Sequence, residues 1–325
     1  MLKDLSSETF FESINNPLVN YSDDYLNFLR LALPRSQNHT LTVHEKNKIS
    51  GRFNFVTSFS EKYGTVVNSL PFFGSHGGPI ANSNSKFLEL INHFKTEIIK
   101  ISPAAISVIE NPFQPLDENV MGELGLKVVD NRIGQFTPLP SEMQNFHVKT
   151  RNSIRKGQKL NLKIEVRGDD ESWHWMQQKH QESIISLKGI PKKMEIFNAI
   201  RQIFKESAQL WVGFLNEKPI SAVLTIRYRN IIEYFTPVVD ENYRDTQALS
   251  AVIYEAMQAS TRAGAKLWNW GGTWSSQKGV YRFKSRWGTI DKPYRYFNKV
   301  KSEDLLKASK DDIVSSFPFF YVKKF

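Results

Sequence analysis

The 325-residue sequence contains no cysteine. That absence excludes disulfides, thiolate nucleophiles and cysteine-ligated zinc together, and it fits a reducing compartment. No apolar run approaches the ~18 residues that a membrane-crossing helix needs. The opening stretch, Met1 to Asn16, carries Asp4, Glu8 and Glu12 and lacks the basic-then-apolar pattern of a signal peptide. The expected location is therefore the cytoplasm. Acidic residues are in deficit: 33 Asp and Glu stand against 43 Lys and Arg, a net charge of +10. This balance favours anionic partners such as nucleic acid, nucleotide phosphates or acidic lipids, or else is diffuse solubilising charge. A P-loop, a Ser/His/Asp order and a metal-ligand cluster are all missing, so no metal is expected.

What the chain does have is bulk and order. Its 23 Phe, 11 Tyr and 7 Trp supply enough apolar volume for real cores, and its length suggests two domains. Ser7 to Val19 and Ser22 to Leu33 read as helices, with Pro34 stopping the second. Thr40 to Glu45, Ile49 to Phe59 and Tyr63 to Leu70 read as strands separated by short polar turns. A helix over Asn84 to Lys100 follows, with Phe87, Leu90, Ile91, Phe94 and Ile98 apolar. Ala104 to Ile109 is a strand, Asp117 to Leu124 a short helix and Lys127 to Phe136 a strand.

The second half repeats the order. Leu162 to Arg167 is a strand, and Glu171 to Ser186 and Lys192 to Ser207 are helices. Leu210 to Leu215, Ile220 to Arg227 and Ile231 to Pro237 form a strand meander. A long helix over Tyr243 to Ala263 stops at Gly264. A strand over Lys266 to Trp270, a turn at Gly271-Gly272, a helix from Ser275 to Trp287 and a strand over Tyr294 to Lys299 complete it. Asn47-Lys48-Ile49-Ser50 and Lys218-Pro219-Ile220-Ser221 even match in wording. The reading is an internal duplication, with domains expected at 1–145 and 146–325.

This order of elements is that of the GNAT acyltransferase fold, and two copies in one chain resemble the FemAB type. Three stretches carry the resemblance. They are Leu70-Pro71-Phe72-Phe73-Gly74-Ser75-His76-Gly77-Gly78-Pro79, Lys149-Thr150-Arg151-Asn152-Ser153-Ile154-Arg155-Lys156 and Gly279-Val280-Tyr281-Arg282-Phe283-Lys284-Ser285-Arg286-Trp287-Gly288. The implied fold is α+β: tandem GNAT-like domains, each a mixed, mainly antiparallel sheet flanked by helices. The implied activity is transfer of an acyl or aminoacyl group to an amine of a cell-envelope precursor, a peptidoglycan peptide or an amino sugar, in a bacterial cytoplasm. No permanently bound cofactor is implied; acyl-CoA or aminoacyl-tRNA serves as donor substrate.

The candidate residues follow from these stretches. Glycines let a backbone approach a phosphate or peptide closely, and the resemblance implies that Gly74, Ser75, His76, Gly77 and Gly78 bind the acceptor, a tight Gly–Pro turn being the equal alternative; His76 reads as a base, a phosphate donor or a structural cap, the last being the commoner role of a lone His. Arg151 and Arg155 are four apart on a helix face, beside Asn152 and Lys156, and suit an anionic substrate. A solvated helix face is the plainer reading. A CoA pyrophosphate would sit before the long helix, at Arg244 and Gln247, but Tyr243 to Leu249 holds no glycine, which puts CoA in doubt. Glu110 and Asn269-Trp270-Gly271 end equivalent strands of the two halves, Glu110 as a possible base or amine-orienting group. Gln277 and Phe283 are placed at the substrate, Phe283 as a packing wall. Tyr281 and Lys284, three apart, share a helix face. Lys284 is expected to stabilise the developing oxyanion and Tyr281 to donate to the same region. The alternative reading is a non-catalytic nucleic-acid- or nucleotide-binding protein on a retired GNAT fold. Oligomeric state, acyl group and acceptor are left open.

Overall fold

The computed structural model describes residues 18–70 and 76–325. The proposed Ser7 to Val19 helix falls largely outside them; Val19–Tyr21 is a short 3-10 turn. The chain divides into two compact units, one of residues 1–133 with 292–325, the other of residues 134–291. The sequence division at 145/146 takes two consecutive pieces, whereas unit one is discontinuous. Strand pairing causes this: the last strand runs antiparallel to one of the first half, with Phe297 opposite Val108.

Unit one holds α1 (Asp23–Ala32), β1 (Ser36–Glu45), β2 (Lys48–Ser60), β3 (Gly64–Asn68), β4 (Ile80–Ala81), α2 (Asn84–Ile101), β5 (Ala105–Ile109) and α3 (Glu118–Glu123). It also takes the first seven residues of β6 (Lys127–Pro138). Side-chain caps start the helices: Ser22 accepts from the Tyr25 N–H, and Asp117 from the Asn119 N–H. The sheet order is β1-β2-β3-β5, then the C-terminal strand, then β6, with β4 on β2. Only β3 and β5 pair in parallel among the registers of this unit. Leu90, Ile91, Phe94 and Ile98 line the buried side of α2, as the 3.6-residue period requires. Phe94 packs on Phe53 and Phe55 of β2, with ring centroids 4.5 and 5.3 Å away.

Unit two begins with the remainder of β6. It contains α4 (Val148–Gln158), β7 (Lys163–Arg167), α5 (Asp170–Ser186), α6 (Met194–Phe204), β8 (Ala208–Leu215), β9 (Lys218–Tyr228), β10 (Ile231–Val239), α7 (Ala248–Arg262), β11 (Leu267–Trp274) and α8 (Lys278–Ser285). Its sheet order is β6-β11-β10-β9-β8-β7, with β10, β9, β8 and β7 paired antiparallel in turn and β10 parallel to β11. Trp268, Trp270 and Trp287 fill its core with Ile253 and Met257 of α7. The chain then returns to unit one with β12 (Ile290–Val300), α9 (Glu303–Lys307) and α10 (Lys310–Ser316).

Three local expectations need correction. The helix expected from Tyr243 is a 3-10 turn, Glu241–Thr246, and α7 starts only after Gln247 at φ +63°. Asp240 accepts from the Asn242 N–H and so caps the 3-10 turn first. The strand expected to end at Trp270 runs on to Trp274 through both glycines, with Gly271 at φ +72°. The helix expected over Ser275 to Trp287 is the shorter α8, and neither Ser275 nor Ser276 caps it; Gln277 is its N-cap residue.

Candidate functional site

In unit two, β10 and β11 lie parallel but stay in register for three pairs only, Ile231 with Leu267, Ile232 with Trp268 and Glu233 with Asn269. Both strands continue, to Val239 and Trp274. Beyond Glu233 and Asn269 the two backbones no longer pair with each other, and peptide groups released from a ladder need other partners. A register shift between Tyr234 and Thr236 puts an irregularity in β10 at this point. The parting is fixed by Asn269, which donates from Nδ2 to Glu233 Oε2 at 2.7 Å and accepts the Gly271 N–H at Oδ1, 2.8 Å. Asn269 thus braces the site. Trp270 belongs to the core, donating from Nε1 to Thr137 Oγ1 at 2.9 Å.

Past the parting, α8 directs one side chain inward. Lys284 is its only buried residue. Its Nζ donates to the Gly272 carbonyl at 3.2 Å and to Thr273 Oγ1 at 3.0 Å, and Thr273 in turn bonds Gln135 Oε1 at 3.1 Å. No carboxylate among the described residues pairs with this ammonium. Burial alone pulls its pKa down to about 8. Tyr281 turns away from Lys284: its hydroxyl donates to Asp291 Oδ2 at 2.6 Å, and that carboxylate holds its proton more tightly. The shared face put the two residues side by side, but the phenol is long enough to swing to Asp291. Gln277 accepts the Trp274 N–H at 3.3 Å and closes the turn before α8. Phe283 stands edge-on to Trp270 and Trp287.

Two residues here escaped the sequence reading. Glu233 is an acid in the apolar run Ile231-Ile232-Glu233-Tyr234-Phe235, and that break in the pattern was the available signal. Lys192, on the α5–α6 loop, is buried; its Nζ donates to Thr236 Oγ1 at 3.1 Å and sits 5.0 Å from the Phe235 ring centre. Burial lowers it to about 7. Its own N–H donates to Nε2 of His180, an imidazole that burial and the neighbouring Lys192 hold down at about 3. Nothing in Pro191-Lys192-Lys193 announces this.

The other candidates are more scattered. Arg151 is tied to the backbone, donating to the carbonyls of Phe146 at 3.0 Å and Gln144 at 3.3 Å. Asn152, Arg155 and Lys156 are exposed. Arg244 is exposed beside Glu241 at 3.5 Å. The start of α7 has α4 against it: a Cβ on Gly157 would meet the Gln247 carbonyl oxygen at 2.7 Å. In unit one, Gly74 and Ser75 lie outside the described residues. His76 is buried, edge-on to Tyr294 at 4.6 Å. Gly77 accepts from the Tyr21 hydroxyl, and Gly78 sits at φ +80°. Glu110 is buried in a clamp: its carboxylate accepts from the Leu116 N–H at 2.6 Å, the Arg295 N–H at 2.8 Å and the Arg295 guanidinium at 2.6 Å. Those bonds occupy both its oxygens and leave it poorly placed to act as a base.

Residues 145–285 match the family model described as an acetyltransferase (GNAT) domain. No curated protein matches the chain. Among solved structures, FemX aligns over 94% of this chain and 98% of its own at 14% identity, with a TM-score of 0.75. L-PGS from Bacillus licheniformis aligns over 94% of each chain at 12% identity and TM-score 0.58. A tandem GNAT protein from the clavulanic acid biosynthesis pathway covers 91% of this chain and 94% of its own at 8% identity, with TM-score 0.56. The second unit thus carries a stretch that matches a GNAT acetyltransferase domain, and the chain as a whole shares its fold with FemX and with the tandem GNAT protein.

Proposed function

We propose that unit two forms an amide by acyl transfer where β10 and β11 part. The observation that carries this reading is Lys284, a buried ammonium held by a carbonyl and a hydroxyl, with no carboxylate among the described residues paired to it. The amine nitrogen attacks the acyl carbonyl, a C–N bond forms, and the carbonyl π electrons move to oxygen. Lys284 faces that oxyanion. Collapse breaks the bond to the donor's sulfur or ribose oxygen, and the leaving atom takes up a proton. Glu233, held by Asn269, receives the proton that the amine loses. Alignment and charge stabilisation then supply the catalysis, with no covalent enzyme intermediate.

Two features turn the donor towards aminoacyl-tRNA rather than acyl-CoA: the absence of glycine before α7, and the close approach of α4 to the Gln247 carbonyl. The resemblance to the FemAB type and the shared fold with FemX support an acceptor at a cytoplasmic face of envelope synthesis, with the amine on a peptidoglycan stem peptide or amino sugar. The test incubates the protein with acetyl-CoA or charged tRNA and a panel of such amines, and reads mass added to the amine. Transfer from charged tRNA, lost in Lys284→Met, is expected. No transfer from either donor to any amine would remove the proposal, and transfer from acetyl-CoA alone would reverse the choice of donor.

A further inference from the structure

The turn between α5 and α6 has an unusual surface. Leu187 is 75% exposed, Ile185 55% and Ile190 48%, three branched aliphatics within six residues. From Ser183 to Met194 the chain carries Lys188, Lys192 and Lys193 and no acid, and Lys188 and Lys193 are exposed. Three N–H groups of the tip are already bonded within it. The N–H groups of Leu187, Lys188 and Gly189 donate to the carbonyls of Ile184 and Ile185 at 2.9 to 3.2 Å, and Lys188 closes the turn at φ +56°. A tip of this kind offers aliphatic side chains with three of its N–H groups already paired, and bare peptide groups are the main obstacle to inserting a loop in lipid; at the headgroup level its carbonyls stay within reach of water.

We infer that this tip is a docking site for an anionic lipid surface: Leu187, Ile185 and Ile190 enter the headgroup–acyl boundary, while Lys188 and Lys193 remain at the phosphates. Apolar insertion and basic attraction act together at such surfaces, and the occupant is chosen by the lysines, since an apolar protein partner would leave their charge unanswered. The same loop leads directly to Lys192, whose ammonium reaches β10 at Thr236. Docking would therefore hold the β10 side of unit two, where the proposed transfer takes place, against the membrane, where amines on lipid-anchored precursors are found. The docking itself rests on the tip alone. Its link to catalysis rests on the proposed acyl transfer.

The experiment is flotation of the full chain with vesicles of pure phosphatidylcholine or with 30% phosphatidylglycerol added. Binding to the anionic vesicles is expected, weakened at least tenfold in Leu187→Ser/Ile190→Ser and sharply reduced by high salt. Leu187→Trp in the full chain should blue-shift on binding and be quenched by lipids brominated in the acyl chain. Absence of binding, equal binding by the serine variant, or an unquenched Trp would overturn the proposal. So would a dimer that Leu187→Ser dissociates, since a second copy would then be the occupant. Transfer to a water-soluble amine, measured in parallel, reports the chemistry separately: if it persists in Leu187→Ser/Ile190→Ser, loss of docking is distinguished from loss of catalysis.

Discussion

Lys284→Met separates a functional lysine from a structural one, because the two roles predict opposite changes in stability. Lowering a lysine from 10.5 to about 8 corresponds to roughly 3 kcal/mol against keeping its proton in the folded state. At pH 7 the folded protein still carries that proton in about nine molecules of ten, so it bears the cost of a buried charge. Methionine retains most of the stem and removes the charge. It also removes two hydrogen bonds, to Gly272 and Thr273, worth about 1 kcal/mol each. The net expectation at pH 7 is a fold as stable as the wild type or more stable by ~1 kcal/mol. Activity should move the other way: kcat falls by ~10²–10³, the effect of removing one oxyanion donor, while Lys278→Met, at an exposed position, changes it little. The pH dependence adds a second check. Between about pH 8 and 10.5 the unfolded chain holds a proton that the folded chain has released, so wild-type stability rises with pH through that window. The variant lacks this rise. Denaturant melts at pH 7 and 9.5 and single-turnover rates read all of this. A Lys284→Met protein that loses stability but keeps its rate would show that Lys284 is a core strut.

Other outcomes follow from the same geometry. Glu110→Gln should lower stability by roughly 3 kcal/mol, because the Arg295 guanidinium loses its buried anion, and chemical denaturation measures it; a rate loss with an unchanged fold would return Glu110 to the mechanism. Gly77→Ala and Gly78→Ala should each destabilise by at least ~1 kcal/mol: a Cβ would lie 2.6 Å from the Ser69 carbonyl oxygen in one and 2.9 Å from that of Ile109 in the other. Melts that match the wild type would make these glycines available for ligand contact after all. Arg155→Gln should raise KM several-fold in a salt-sensitive way with an unaltered fold, whereas Arg151→Gln should cost about 1 kcal/mol of stability by releasing the Phe146 carbonyl; the two swapped would place the anion at Arg151.

Most of the element order was readable because it rests on local periodicity. The stripe of α2 and the three-strand meander of β8, β9 and β10 depend on neighbours a few residues away. The α+β tandem fold followed from that order. What could not be read was non-local. Nothing in Tyr294 to Lys299 says that β12 will pair with β5, more than 180 positions earlier, so the return of the chain to unit one was invisible. The site was half legible. Lys284 stood out by its place on the helix after the Gly271-Gly272 corner and by the likeness of Phe283-Lys284 to the family's segment. Tyr281 went astray because helix spacing fixes where a side chain starts, and Asp291, six residues beyond the helix, decides where it ends. Glu110 and Asn269 matched as strand ends, yet each is consumed by partners that only folding brings near.

The final strand has one more consequence, and it concerns synthesis on the ribosome. Unit two is continuous, and all its residues have been made once Asp291 is added. Unit one must wait for β12, and for the segment behind it. Asn68 donates to the Tyr321 carbonyl at 2.7 Å, Ser107 to the same oxygen at 2.6 Å, and Asn298 to the Val322 carbonyl at 2.8 Å. All three side chains are buried. Until those carbonyls arrive, Asn68, Ser107 and Asn298 each lack one acceptor, and Val66 and Ala105 lack the cover of Phe317 and Val322. The half that is translated first is thus completed last, and a nascent chain stalled near residue 290, before β12 is made, would present an open sheet edge at β5 to the quality-control machinery of the cell.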